Sequence, residues 1–302
     1  MSAATAAKRR AYLELVRVPN LFTAAGDIFA GYLIVSRGVG VNWTHLLGLV
    51  AASVCLYAAG VVLNDYFDRA VDDVERPERP IPSGRVRPDE VLKLGMVLLG
   101  LGCVVAFAVG PASFAVAALL AGCIVLYDAR GKRIPYVGGV NMGMCRFLNL
   151  CLGATGAVSL NLDIWAWFVL PAAAILLVYI SAVTVLSTGE VWGGNRTVAG
   201  AVFAALLGVI GAVLWLASTD RLSDPAYLPF LAIFAAATLS VVGAVIREPS
   251  APTIRRAIKT CVLSLLLLDA AIAAGAAGLG FGLLVAVLII PALYIGRVIS
   301  VT

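Results

Sequence analysis

Residues 63–86 read LNDYFDRAVDDVERPERPIPSGRV, a run dense in acids and then in bases. Asn64, Asp68 and Asp72 are spaced i, i+4, i+8, so on a helix they share one face, drifting by about 40° per step. Asp65 and Asp73 lie beside them. Like charges four residues apart destabilise a helix, so a stripe of carboxylates needs a compensating cation. Hard oxygen donors suit Mg²⁺, which takes one or two carboxylates and fills its shell with substrate phosphate oxygens. From Asn64 to Asp72 a helix rises about 12 Å, too far for one ion and suited to a diphosphate held through bridging metals. Arg76, Arg79 and Arg85 follow at once, and guanidinium forks match phosphate oxygens bidentately. Taken alone, those arginines are equally well explained as cytoplasmic anchors of a membrane protein. Acid followed by base at the mouth of an apolar bundle points to a Mg²⁺–diphosphate site with a greasy ligand tail inside.

Further polar groups are scattered through apolar surroundings. Lys132 and Arg133 lie in the loop YDARGKRIP, residues 127–135. Cations there stabilise the charge that develops on a departing diphosphate, and they also fit as membrane anchors. Asp128 is either a ligand or a partner for Arg130 or Lys132. Arg146 and Asn149 are i, i+3 inside an apolar segment, where an ionisable residue costs ~2.5–3.5 kcal/mol and so faces the bundle interior or a wet cavity. They line an acceptor pocket, brace the diphosphate, or tie helices together. Arg17, Asn20 and Asp27 open the first apolar segment as a second candidate lining group. Asp269 reads as structural.

These side chains need a scaffold, and composition says which. Of 302 residues, 62% are hydrophobic and 13% charged, against roughly 45–50% and about 25% in soluble domains. Mean hydropathy is +1.00. A soluble enzyme, a disordered chain and a disulfide-stapled secreted scaffold are excluded. A bilayer core about 30 Å thick takes ~20 helical residues. Apolar segments fall at 20–36, 44–66, 90–109, 112–127, 138–158, 164–187, 198–217, 227–246, 257–276 and 279–299, separated by Gly, Pro, Asp or charge clusters. The expected fold is all-α: one polytopic membrane helix bundle over residues 1–302, with nine to ten transmembrane helices.

With a cytoplasmic N-terminus, nineteen of the 22 Lys and Arg residues fall on the cytoplasmic side. Arg37 and Arg221 face the other side, and Arg146 lies within the fifth segment. Basic loops stay inside, so the N-terminus and the loops carrying Asp72, Lys132 and Arg196 are expected there. The net charge of +5 then reflects topology, and no nucleic-acid partner is expected. His45, the single histidine, cannot build a zinc site. The six cysteines sit in apolar runs without a C-x-x-C pair and read as small core hydrophobes. No small-residue cleavage site follows Lys8, Arg9 and Arg10, so no cleavable leader is expected.

The run N-D-x-x-D-x-x-x-D followed by R-P-x-R-P-x-P-S-G-R, at Asn64, Asp65, Asp68, Asp72, Arg76, Arg79, Pro80, Pro82, Ser83, Gly84 and Arg85, resembles the first signature of the UbiA superfamily of intramembrane prenyltransferases. Helix pattern and loop positions are similar over nearly the whole chain. Segments one to nine match the family's nine-helix bundle around a central cavity, and segment ten is an addition. Within the superfamily the chain is most similar to the bacterial branch found in Ebo-type gene clusters. The resemblance implies Mg²⁺-dependent ionisation of an allylic isoprenyl diphosphate within the bilayer. The prenyl carbon would pass to a lipophilic or aromatic acceptor that the sequence does not identify. Two acidic loops would face each other across the cavity.

On that basis Asn64, Asp68 and Asp72 are metal ligands, with Asp68 and Asp72 counted as catalytic alongside Lys132 and Arg133. Asn64, Arg76, Arg79, Arg85, Lys132 and Arg196 bind the diphosphate. Tyr127 matches the family's tyrosine and lines the cavity with Asn20, Arg146 and Asn149. The second acidic loop departs from the family pattern. It reads STGEVWGGNRT, residues 187–197: Glu190 stands at the first acidic position, Asn195 replaces an acid, and Arg196 and Thr197 keep the basic–hydroxyl pair. Glu190 and Asn195 would hold a second metal weakly. Two rival readings keep the scaffold: a membrane-bound terpene cyclase, and a non-catalytic prenyl-lipid binding or transport protein.

Overall fold

Proline and glycine mark the helix boundaries in the computed structural model, which describes residues 3–134, 136–157, 161–190 and 193–298. The helices are α1 (Ala3–Val16), α2 (Val18–Ser36), α3 (Trp43–Glu75), α4 (Pro88–Val109), α5 (Pro111–Ala129), α6 (Val137–Thr155), α7 (Leu170–Ser187), α8 (Arg196–Ser218), α9 (Tyr227–Arg247), α10 (Ala251–Ala277), α11 (Leu279–Ala286) and α12 (Ile289–Val298). A short turn, Leu162–Ile164, and a π-helical turn, Trp165–Val169, lead into α7. Helices α2, α4, α5, α7 and α10 carry Pro in the first turn, where its missing N–H has no intrahelical partner to lose. Among the described residues, nine helical stretches are long and apolar enough to cross a membrane. Helix α6 has 19 residues but falls outside that set, because Asn141, Arg146 and Asn149 lower its hydropathy. With α6 buried among them, the ten expected segments are all helical.

Helix α2 packs against α3, α6 and α10, and α10 packs against α9 and α11. The surfaces of α2 and α10 are largely buried, whereas α4, α5, α8 and α9 expose most of theirs. Side chains such as Phe107, Leu119, Leu207 and Ile233 are exposed, as expected of faces turned to lipid. Close approach of α2 to α6 depends on two glycines. A Cβ on Gly31 would overlap the Leu150 carbonyl, and one on Gly153 would overlap that of Ile28. Small residues allow this backbone contact in a membrane bundle, where packing drives helix association.

Several boundaries differ from the apolar runs, among them the start of α10 at Ala251, six residues before the run at 257. Helix α3 continues nine residues past the run ending at 66, because cations neutralise the acidic stripe that extends it. Segment ten breaks into α11 and α12 at Val287 and Leu288. The expected ends at residues 158 and 299 lie outside the described residues.

The helix count brings Arg37 and Arg221 to one end. Arg37 donates to the Arg221 carbonyl at 2.8 Å and to Ser223 Oγ at 2.7 Å. Arg221 donates to the Trp167 carbonyl at 2.6 Å and lies 3.8 Å from that ring's centroid.

Candidate functional site

At the other end, the second half of α3 carries the acidic stripe, and each rung meets a different partner. Asn64 Nδ2 donates to Asp128 Oδ1 of α5 at 3.1 Å. Lys132 Nζ lies 2.7 Å from Asp68 Oδ1, an ion pair reaching over from the α5–α6 connection. Arg79 Nη1, from the α3–α4 loop, donates to Asp72 Oδ2 at 2.7 Å and lies 3.3 Å from Asp65 Oδ1. Asp65 Oδ1 also accepts from Arg17 Nη2 at 2.8 Å. Arg76 stands more loosely, 3.9 Å from Asp72.

Local structure explains these placements. Arg17 occupies the break between α1 and α2 in the left-handed region, at φ 48, unusual for a non-glycine residue. The turn sends its guanidinium to Asp65, 48 residues away. Lys132 and Arg133 lie on the 3₁₀ turn Gly131–Arg133, which begins two residues after α5 and presents Lys132 to the stripe. Arg133 is exposed. The α3–α4 loop is fastened by its own backbone, Ser83 N to the Arg79 carbonyl and Val86 N to that of Pro80.

The structure gives several expected site residues other work. Arg85 pairs with Glu14 of α1 at 2.6 Å and donates to the Glu78 carbonyl at 2.7 Å, so its fork straps α1 to the loop. Asn195 is the N-cap of α8: its Oδ1 accepts from Thr197 N at 2.6 Å, filling an orphan position of the first turn. Arg196 donates to the Arg247 carbonyl at the end of α9. The Glu190 carbonyl accepts from Arg255, and Gly194 N bonds to the Pro249 carbonyl. The second loop is thus stitched to the α9–α10 connection. Arg146 and Asn149 are buried, with polar atoms bonded to Thr23, Ala24, Asp27 and Ser53. Of the roles their spacing left open, the structure shows helix tying. Asn20 and Tyr127 are half-buried.

The stripe offers a donor set suited to Mg²⁺. Asn64, Asp65, Asp68, Asp72 and Asp128 are all hard oxygen donors. Asp128 is buried, and its Oδ2 has no hydrogen-bond partner, an acceptor left open for a cation. Among the described residues no three His, Cys, Asp or Glu side chains converge on one ion. That fits an ion with one or two protein carboxylates and a shell completed by substrate phosphate and water. Spacing alone exposed the stripe. The α1 strap through Glu14 and the central place of Asp65 were missed, since their partners lie far along the chain.

A model of the UbiA prenyltransferase family matches residues 27–185. The digeranylgeranylglyceryl phosphate synthase of Ignicoccus hospitalis is 38% identical over 147 residues, 49% of this chain and 47% of that protein. Its counterpart in Methanoregula boonei is 32% identical over 201 residues, 66% of this chain and 69% of that protein. The chain spans about half the length of the first of these curated relatives. A solved structure of a digeranylgeranylglyceryl phosphate synthase is similar with a TM-score of 0.65 at 22% identity, covering 89% of this chain and 98% of that one. A UbiA homologue from Archaeoglobus fulgidus bound to GPP and Mg²⁺ gives 0.60 at 12% identity, covering 91% and 99%. At these identities the solved structures speak for the fold.

Proposed function

The chain belongs to the UbiA prenyltransferase family, and from that premise we propose that it transfers a prenyl group from an isoprenyl diphosphate to a lipophilic acceptor, with Mg²⁺. The observation that carries this reading is the acidic stripe of α3 laced by cations from three separate segments. Asp68 holds Lys132, Asp72 holds Arg79, and Asp65 holds Arg17. Positive charges are therefore fixed beside the donor oxygens before any ligand arrives, and such preorganisation stabilises a leaving anion most effectively.

Asn64, Asp68, Asp72 and Asp128 would share bridging Mg²⁺ ions, one or two carboxylates to each, and Glu190 is the second loop's candidate ligand. Mg²⁺, when bound, would neutralise charge on the departing diphosphate. Lys132, Arg79 and Arg76 bind the diphosphate oxygens. The apolar bundle receives the prenyl chain and keeps water from the allylic cation. The donor's C–O bond breaks, pyrophosphate leaves, and the acceptor bonds to the prenyl carbon with loss of its proton. The relatives' names point to a glyceryl phosphate lipid as acceptor, ahead of an aromatic one. The concentration of Lys and Arg in the loops at the active-site end supports a cytoplasmic location for it.

The test is incubation of purified protein with a radiolabelled allylic diphosphate and Mg²⁺, with and without a prenylglyceryl phosphate. A labelled adduct that forms only with the acceptor is expected. A diphosphate-free hydrocarbon or alcohol formed without acceptor would favour the cyclase reading, and binding without diphosphate release the transport reading.

A further inference from the structure

Three ionisable side chains meet where α2 packs against both α6 and α10, and the transfer reaction proposed above uses none of them. Asp27 and Asp269 are 0% exposed and Arg146 is 6% exposed. Asp27 Oδ2 accepts from Arg146 Nη1 at 3.0 Å and from Asn149 Nδ2 at 2.8 Å. Arg146 Nη2 donates to Thr23 Oγ1 at 2.8 Å, and the guanidinium lies 4.9 Å from the Tyr57 ring centroid. The other carboxyl oxygens, Asp27 Oδ1 and both of Asp269, have no donor. Yet Asp269 Oδ2 lies against α2 at Gly26, the residue before Asp27, which sets the two carboxyls side by side. Gly26 makes the room: a Cβ there would lie 2.6 Å from Asp269 Oδ2.

Two carboxylates beside one guanidinium would leave a net negative charge in the bundle core, with three oxygens unpaired. Taking an ion out of water costs several kcal/mol, and an unsatisfied buried polar group costs about 1–3 kcal/mol. We propose that Asp27 and Asp269 bind one proton between them, as a carboxylic acid–carboxylate pair neutralised by Arg146. The shared O–H joins the facing oxygens and removes the excess charge. A sodium ion is a poorer occupant. It would find three free oxygens, because the nearby Ala24 carbonyl already accepts from Ser53 and Asn149.

Arg146 and Asn149 of α6 bond to Asp27, and around them stand Thr23 of α2 and Tyr57 of α3 against Arg146, Ser53 of α3 against Asn149, and Tyr179 of α7 bonded to the Cys261 carbonyl of α10. Arg146 is the cation among them. The dyad is then a neutral tie pinning α10 to α2 and α6. Removing its proton would put a second negative charge into the tie.

Infrared difference spectra of the full-length protein in detergent test this. Wild type minus Asp269→Asn, at neutral pH, is expected to show one protonated-carboxyl band. The band should shift in D₂O and be the same in NaCl and KCl. Asp27→Asn is expected to lose the same band, since the proton belongs to both residues. No band, a band that appears only without sodium, or a band lost in one variant alone would overturn the proposal. If either variant fails to fold, ¹³C-aspartate labelling of an Asp128→Asn protein carries the test. A protonated carboxyl at neutral pH is expected there, and its absence overturns the dyad. Neither result bears on the transfer reaction.

Discussion

Asp68 has a clear double role at the scale of single residues. It is a candidate metal ligand, and it holds Lys132 at 2.7 Å. Asp68→Asn removes one negative oxygen and frees the lysine. Mg²⁺-dependent binding of a labelled prenyl diphosphate is expected to weaken at least tenfold, about 1.4 kcal/mol. Binding and Mg²⁺ dependence that match wild type would remove the stripe from the site. Arg85 shows the limit of reading residues by motif. Its place in R-P-x-R-P-x-P-S-G-R marks it as a phosphate ligand, but its fork is spent on Glu14. If that strap is its main role, Arg85→Ala and Glu14→Ala should be non-additive in thermal stability. A double-mutant cycle is expected to return a coupling of a few tenths to about 1 kcal/mol for such a partly exposed pair. Full additivity would return Arg85 to the diphosphate. The stripe was legible because i, i+4, i+8 spacing is a local property. The Asn64–Asp128 bond spans 64 positions, and no local pattern encodes such a partner.

Helices were legible from apolar runs and their Pro and Gly boundaries, because both act within a few residues. Their terminal chemistry was less so. Asn195 read as a weakened metal ligand, since an acid stands there in the family pattern. The structure makes it the N-cap of α8, a role that Asn and Asp fill about equally well and Ala does not. Asn195→Asp is therefore expected to unfold at nearly the wild-type temperature. Asn195→Ala is expected to lose about 1 kcal/mol, read by thermal unfolding in detergent. Equal stability of the Ala variant would show that the cap contributes nothing. Helix α6 was placed correctly as a segment, but its polar residues allowed both a lining and a tying role. The deciding fact is tertiary: Gly31 and Gly153 bring α2 and α6 into backbone contact, which closes Asn149 against Ala24.

Sidedness belongs to the whole molecule, and it follows from where basic residues end up once ten segments are threaded. Asp72, Lys132 and Glu14 gather at one end through the pairs Arg79–Asp72, Lys132–Asp68 and Arg85–Glu14. Arg37 and Arg221 meet at the other through the bond from Arg37 to the Arg221 carbonyl. A single miscounted segment would have scattered these groups between the two ends. The lopsided division of Lys and Arg is the ground for proposing that the end with Asp72 and Lys132 faces the cytoplasm, since basic loops are retained there. Ser83 is exposed in the α3–α4 loop, and Val39 is 79% exposed at the opposite end. In a chain whose six cysteines have been replaced, Ser83→Cys and Val39→Cys report one end each. A membrane-impermeant thiol reagent applied to intact cells is expected to label Val39→Cys alone. After permeabilisation it should label both. Labelling of Ser83→Cys alone from outside would invert the orientation and place diphosphate chemistry away from the cytoplasm. Labelling of both from outside would break the helix count itself, because the two positions would then share a side.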